Sequence, residues 1–89
     1  MNLKPLGTNK TELNLKEHGG HYGVRILFSY ETPVAYSILT EQGRSFYRTE
    51  KRWSNTTTRH IKSWLPYDDA TVLSQDEIEG FVQANVGVR

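Results

Sequence analysis

The hydrophobic period of this sequence changes between Trp53 and Ser54, and this change limits the possible folds more than any other feature. Before Trp53, apolar and polar residues alternate as they do along a β-strand with one buried face. After Ser54, apolar residues recur at helical spacing. The upstream part therefore predicts a sheet, and the downstream part predicts helices that cover it. Residues 44–65, which span this change, are called the basic stretch below.

Alternation of apolar and polar residues predicts four strands, at residues 11–16, 22–30, 34–40 and 45–50. In the second of these, Val24, Ile26 and Phe28 share one face with the flanking tyrosines, and Leu27 lies on the other face. In the third, one side is expected to carry Val34, Tyr36 and Ile38. Gly19 and Gly20 indicate a hairpin turn at residues 18–21. Links this short favour an antiparallel meander.

Two helices are predicted after the sheet. Ser54 or Asn55 is a suitable N-cap for the first, since either side chain can accept a hydrogen bond from a free amide of the first turn. Its apolar stripe consists of Thr57, Ile61, Trp64 and Leu65, and we expect Trp64 to be buried against the sheet. Pro66 is expected to end this helix.

The second helix has stronger sequence signals. Ser74 and Glu77 have the spacing of a capping box, with hydrophobic residues at the two staple positions around it. Ile78, Phe81 and Val82 are expected to form its buried face. Gly80 lies inside the helix, where the absence of a side chain is expected to let an aromatic ring pack closely against the helix.

The length of 89 residues is sufficient for one domain. We expect a flexible N-terminal arm at residues 1–10 and a single α+β domain at residues 11–89, with about four antiparallel strands followed by two C-terminal helices. The absence of cysteine excludes disulfides and thiolate metal sites and is compatible with a reducing cytoplasm. No segment approaches the roughly 20 apolar residues of a membrane span. A cytoplasmic location without membrane contact is therefore expected.

The basic stretch is the best candidate for a functional site, because it interleaves cations with aromatic residues. Phosphates are bound by cations and unstacked bases by flat side chains, so this pattern is typical of a single-strand binding surface. Two other interpretations stay open: a solvated face of the domain, or a protein interface that uses Trp53 and Arg52. The candidate binding residues are Arg44, Arg48, Lys51, Arg52, Trp53, Arg59, His60 and Lys62.

Metal binding and catalysis have weaker support. His18 and His21 are spaced to reach one metal, but no cysteine or well-placed carboxylate completes a ligand set, and we predict no metal site and no cofactor. The sequence contains no nucleophile elbow, phosphate-binding loop or paired-carboxylate motif. His60 with Thr56 or Thr57 one turn earlier is more typical of a local hydrogen bond than of a catalytic pair. We therefore expect a protein that is not an enzyme.

The chain carries the patterns SYxTPVA at residues 29–35 and YRTEKxWSxTTxRHIxxWL at residues 47–65. In these it resembles a family of small uncharacterised proteins encoded by tailed bacteriophages. The resemblance covers residues 22–65, and TTxRHIxxWL is its most specific part. It implies a phage accessory gene expressed in the cytoplasm of a host bacterium, and it implies no mechanism.

Two alternative functions are therefore expected. The first is a non-enzymatic accessory protein that binds nucleic acid through the basic stretch. The second is a protein-binding inhibitor or modulator of a bacterial host or anti-phage defence factor. The net charge of +1 favours neither strongly, because any charge that attracts a nucleic acid has to be local.

Overall fold

The computed structural model describes residues 2–7, 9–15, 23–66 and 70–86. These residues form one six-stranded sheet and two helices, which confirms the α+β class. The elements in chain order are β1 (Asn2–Gly7), β2 (Lys10–Leu15), β3 (Val24–Ser29), β4 (Thr32–Thr40), β5 (Gly43–Thr49), α1 (Asn55–Trp64), β6 (Thr71–Leu73) and α2 (Gln75–Val86). Neighbours in the sheet are neighbours in sequence, and every strand pair is antiparallel except β5 with β6.

The predicted order of four strands followed by two helices is wrong in two places. β1 lies within residues 1–10, where a flexible arm was expected, and pairs with β2 so that Leu3 faces Leu13. Pro5 is compatible with this position because an edge strand can lack one ladder donor. β6 is inserted between the helices and pairs with β5 in parallel, so α1 provides the crossover that a parallel pair needs. The hairpin turn predicted at residues 18–21 lies outside the described residues.

The helices pack on opposite faces of the sheet. Ile26 and Leu27 are both fully buried, yet as consecutive residues of a strand they point to opposite faces. On one face, the α2 face, the cluster consists of Leu13, Leu15, Val24, Ile26, Tyr36, Ile38, Ile78 and Val82. On the other, the α1 face, it consists of Leu27, Val34, Ala35, Ile61 and Leu65. The central strands are thus buried on both sides.

Val34 corrects one predicted face. It was expected beside Tyr36 and Ile38, but it belongs to the cluster on the α1 face. The register between β3 and β4 shifts at Leu27 and Phe28, so that Phe28 faces Pro33 while Leu27 faces Ala35. Val34 is the extra residue of this bulge, which turns its side chain to the other face.

The helix caps predicted from the sequence are confirmed. The Ser54 side chain accepts a hydrogen bond from the Thr57 amide at 3.2 Å, and α1 ends at Trp64, just before Pro66. At the start of α2 the capping box is reciprocal. The Ser74 amide donates to Glu77 Oε1 at 2.9 Å, and the Glu77 amide donates to Ser74 Oγ at 3.1 Å. These local bonds fix where each helix begins, independently of its packing.

Gly80 does not have the role that was expected of it. A Cβ atom built at this position meets nothing within 4 Å, so the glycine leaves no room that an aromatic ring fills. Gly80→Ala is therefore expected to stabilise the protein by about 1 kcal/mol, which raises Tm by about 4–8 °C in a domain of this size. Thermal unfolding followed by circular dichroism measures this. Ala84→Gly, at another exposed position of α2, serves as the reverse control and should lower Tm by a similar amount.

Candidate functional site

Two of the candidate cations, Arg44 and Arg48, lie on β5 and point to the α1 face, the same side as Phe46. At about 3.3 Å per residue they are about 13 Å apart along the strand. Arg44 Nη1 donates a hydrogen bond to Ser37 Oγ on the neighbouring strand. Arg48 lies across from Ala35 on one side and Val72 on the other. Arg44 is therefore held by a side-chain hydrogen bond, and both arginines are only partly exposed.

The segment between β5 and α1 brings a cation and an aromatic ring together. Lys51 Nζ lies 4.2 Å from the ring centroid of Trp53, within the range of a cation–π contact. Trp53 remains 40% exposed. The segment starts from fixed backbone, since the Glu50 amide donates to the Leu73 carbonyl at 2.7 Å and the Lys51 amide donates to Thr49 Oγ1 at 3.1 Å. Arg52, between the two, is also exposed.

Arg59 and Lys62 lie one turn apart on α1 and are both exposed. Thr57 and Ile61, which face the sheet, are buried, so the two cations are on the side of the helix turned away from the sheet. Lys62 is also in the last turn, where a positive charge complements the helix dipole. This pair is thus separated by the body of α1 from the α1 face that carries Arg44 and Arg48.

The His60 side chain forms a hydrogen bond with a buried residue of β3. Its Nδ1 lies 2.8 Å from Ser29 Oγ, which in turn lies 2.9 Å from Thr57 Oγ1. The predicted local bond to Thr56 or Thr57 is replaced by this contact with β3. Burial, and then the nearby charge of Lys10, lowers the pKa of His60 below its usual range. The imidazole is therefore mainly neutral at pH 7 and adds no charge to the surface.

The spacing of Ser29 and His60 is that of a nucleophile and its base, but the serine is not accessible. Ser29 is 2% exposed and lies beneath α1, so no substrate reaches its hydroxyl in this conformation. The hydroxyl groups of Ser29 and Thr57 and the imidazole of His60 form hydrogen bonds with one another, as buried polar groups require. This cluster is interpreted as a polar anchor between α1 and β3.

Trp64 anchors the other end of α1. Its Nε1 donates a hydrogen bond of 2.7 Å to Glu12 Oε1, and its ring meets the Phe46 ring edge-on at 6.1 Å between centroids. Glu12 is only 8% exposed. The ring packs against the cluster on the α1 face, but it is half-buried and not completely enclosed.

A shallow groove of about 450 Å³ adjoins Lys51, where the segment after β5 passes the start of α2. Glu50 and Asp76 are among the residues that line it, together with Ser74 and Gln75. The two carboxylates oppose a phosphate at this point. The groove is therefore unsuited to binding a polyanion.

Sequence reasoning missed Arg25 and Tyr30. Arg25 is exposed on the α1 face and lies across from Ser37, a neighbour that only the strand register reveals. Tyr30 has a φ of 61°, a conformation rare for a residue with a side chain, and its half-exposed ring lies 6.3 Å from the His60 ring. The break in alternation at residues 31–33 was the available signal for a turn there, and it did not point to a positive φ.

In the described part of the chain, no group of three or more His, Asp or Glu side chains is placed to hold a metal ion. His18 and His21 lie outside these residues. Neither α1 nor α2 is long and apolar enough to cross a membrane.

A model of a family of unknown function (DUF8033) matches residues 1–80. No curated protein and no solved structure matches the chain. The family description assigns no activity.

Proposed function

The chain belongs to the DUF8033 family of unknown function, and we propose that it is a non-enzymatic binding protein that takes single-stranded nucleic acid on Lys51, Arg52 and Trp53. The observation that carries this proposal is the exposed Trp53 ring with the Lys51 ammonium 4.2 Å from its centroid. A base can stack on the exposed part of the ring while the adjacent cations contact phosphates. These are the two contacts that a sequence-independent single-strand site combines.

Lys51 and Arg52 directly precede Trp53, although Glu50 and Asp76 line the groove that adjoins Lys51. No ion pair neutralises Lys51 or Arg52 among the described residues, and both side chains are exposed. Arg48 precedes them on β5. A nucleic-acid strand that runs parallel to the protein chain at this point therefore contacts a third cation. Arg59 and Lys62, on the outer side of α1, lie outside this site. We further propose that the protein is a phage accessory protein in the cytoplasm of a host bacterium, which is supported by the resemblance of residues 22–65.

The predicted affinity is modest and dependent on salt. Three or four phosphate contacts give a log–log salt slope of about −2 to −3 for a single strand, with micromolar or weaker binding at physiological salt. Fluorescence anisotropy of a labelled oligonucleotide, titrated at several salt concentrations, measures both. Trp53→Ala should weaken binding by about tenfold, since stacking contributes about 1–3 kcal/mol, while the salt slope stays unchanged. Arg52→Gln should instead flatten the slope by about 0.7.

Tyr30→Ala is the matched control, because Tyr30 is also a half-exposed aromatic residue but has no adjacent Lys–Arg pair. It should bind like the parent protein. If the parent binds neither single-stranded DNA nor RNA even at low salt, the nucleic-acid proposal is abandoned.

The second candidate function, inhibition or modulation of a bacterial host or defence protein, is favoured by one observation. β6 is an edge strand of three residues on which Val72 is 57% exposed. An exposed edge with an apolar side chain is suited to pairing with a strand of another protein. A complex of this kind keeps most of its affinity when the salt concentration rises. Val72→Ser, which adds no charge beside Arg48, should weaken it without affecting oligonucleotide binding.

A further inference from the structure

The strand register brings two arginines together on the α1 face, at the end of the sheet where β5 begins. Arg25 of β3 lies across from Ser37 of β4, and Ser37 lies across from Phe46 of β5. Arg44 is two residues before Phe46 and therefore on the same face. Its Nη1 donates to Ser37 Oγ, so its guanidinium group lies over the residue that faces Arg25.

The Arg44 guanidinium lies close to Gly23, which directly precedes β3. A Cβ atom built on Gly23, whose φ is +81°, would lie 3.6 Å from Arg44 Nη2 and 3.7 Å from Leu39 Cβ. Because glycine lacks this Cβ atom, no side chain at position 23 covers the guanidinium group. The hydrogen bond to Ser37 restricts the Arg44 side chain, so this side chain loses less conformational entropy when it binds a ligand.

Among the described residues, Glu12 is the one carboxylate that acts on the charge of Arg44. Burial, followed by the charge of Arg25, lowers the pKa of Arg44, and Glu12 acts in the opposite direction. Glu12 Oε1 is engaged by Trp64 Nε1, and neither arginine forms an ion pair with a carboxylate among the described residues. Two positive charges on the same face of neighbouring strands repel each other, and a bound anion would remove this repulsion.

We propose that Arg25 and Arg44 form a binding site for an oxyanion, a phosphate or a carboxylate group. Guanidinium groups present pairs of N–H donors whose spacing matches the oxygens of both groups. Arg25 is outside the basic stretch, and Arg44 is at the opposite end of β5 from Lys51. The site therefore goes beyond the proposed nucleic-acid surface and does not require it.

The test uses the whole protein at low ionic strength, titrated separately with inorganic phosphate and with acetate. Thermal unfolding and the NMR resonances of the arginine Nε–Hε groups are followed. We expect a saturable rise in Tm and saturable shifts of the Arg44 resonance with at least one of the two anions, because a ligand that binds only the native state stabilises it. The anion that binds more tightly identifies the source, a phosphate-bearing or a carboxylate-bearing ligand.

Arg25→Gln is the diagnostic variant, and Arg59→Gln is its control with the same change of charge at an exposed position of α1. Without added anion, Arg25→Gln should have a Tm equal to or above that of the parent protein, because a repulsion is removed. Its affinity for the anion should fall by about tenfold, whereas that of Arg59→Gln stays unchanged.

Two results would overturn the site. One is a Tm that rises without saturation and equally in the parent, Arg25→Gln and Arg59→Gln, as expected for a general salt effect. The other is an Arg44 resonance that neither anion shifts. Trp53→Ala, which removes the proposed stacking platform, should keep the phosphate response, so failure of the nucleic-acid proposal and failure of this site give different results.

Discussion

Trp64→Ala is expected to lower the free energy of unfolding by about 3–5 kcal/mol, which is a large fraction of the stability of a domain of this size. Two losses combine. The ring is removed from the cluster on the α1 face, where it meets Phe46 edge-on. Glu12 Oε1, in a residue that is only 8% exposed, loses its hydrogen-bond donor and becomes a buried acceptor without a partner.

Trp64→Phe separates the two contributions. It keeps most of the aromatic packing and removes only the Nε1 donor, so the expected loss is about 1–3 kcal/mol. Combining it with Glu12→Ala, which removes the acceptor, completes a double-mutant cycle that isolates the bond between the two side chains. Chemical denaturation monitored by circular dichroism gives each value. A Tm of Trp64→Ala within one or two degrees of the parent's would mean that the ring contributes little to the core.

Ile61→Ala is the second large effect, with an expected loss of about 2–5 kcal/mol. Ile61 is 2% exposed and lies at the centre of the contacts that α1 makes with Leu27, Val34 and Ala35. Truncation leaves a cavity between the helix and the sheet that neighbouring side chains fill only in part. Since α1 also connects β5 to β6, its loosening should weaken the pairing of the edge strand.

Lys62→Ala is the control for Ile61→Ala. It changes the adjacent residue of the same helix, but this one is exposed and should shift stability by less than about 0.5 kcal/mol. Urea denaturation measures both variants, and native-state hydrogen exchange of the β6 amides reports on the edge strand. Equal stabilities of the two variants would contradict the packing of α1 on this face.

Local signals in the sequence were sufficient for the helix starts. Ser54, Ser74 and Glu77 form their hydrogen bonds within one turn, so spacing alone predicts them. The strands β2 to β5 were predictable from alternation for a similar reason. β1 was missed because Pro5 and Gly7 are typical of loops, although both fit an edge strand. β6, with three residues, is too short to show a period.

Contacts between distant parts of the chain could not be predicted. The bond between Trp64 and Glu12 joins residues 52 positions apart, and that between His60 and Ser29 joins residues 31 positions apart. Each depends on how α1 lies across the sheet, which no local pattern determines. The same limit applies to the candidate surfaces. Lys51 and Trp53 are close in sequence and were identified together, whereas Arg25 and Arg44 meet only through the register of three strands.

The sequential order of the strands also affects how the chain reaches this fold. Each antiparallel pair joins strands that follow one another in the chain, so their contacts have short sequence separations and cost little loop-closure entropy. The pairing of β5 with β6 is different, since it brings residue 47 opposite residue 71 and encloses the whole of α1. Folding rates of small domains fall as the mean separation of contacting residues rises. In this domain the one parallel pair is therefore the strand pairing that contributes most to the closure entropy of folding.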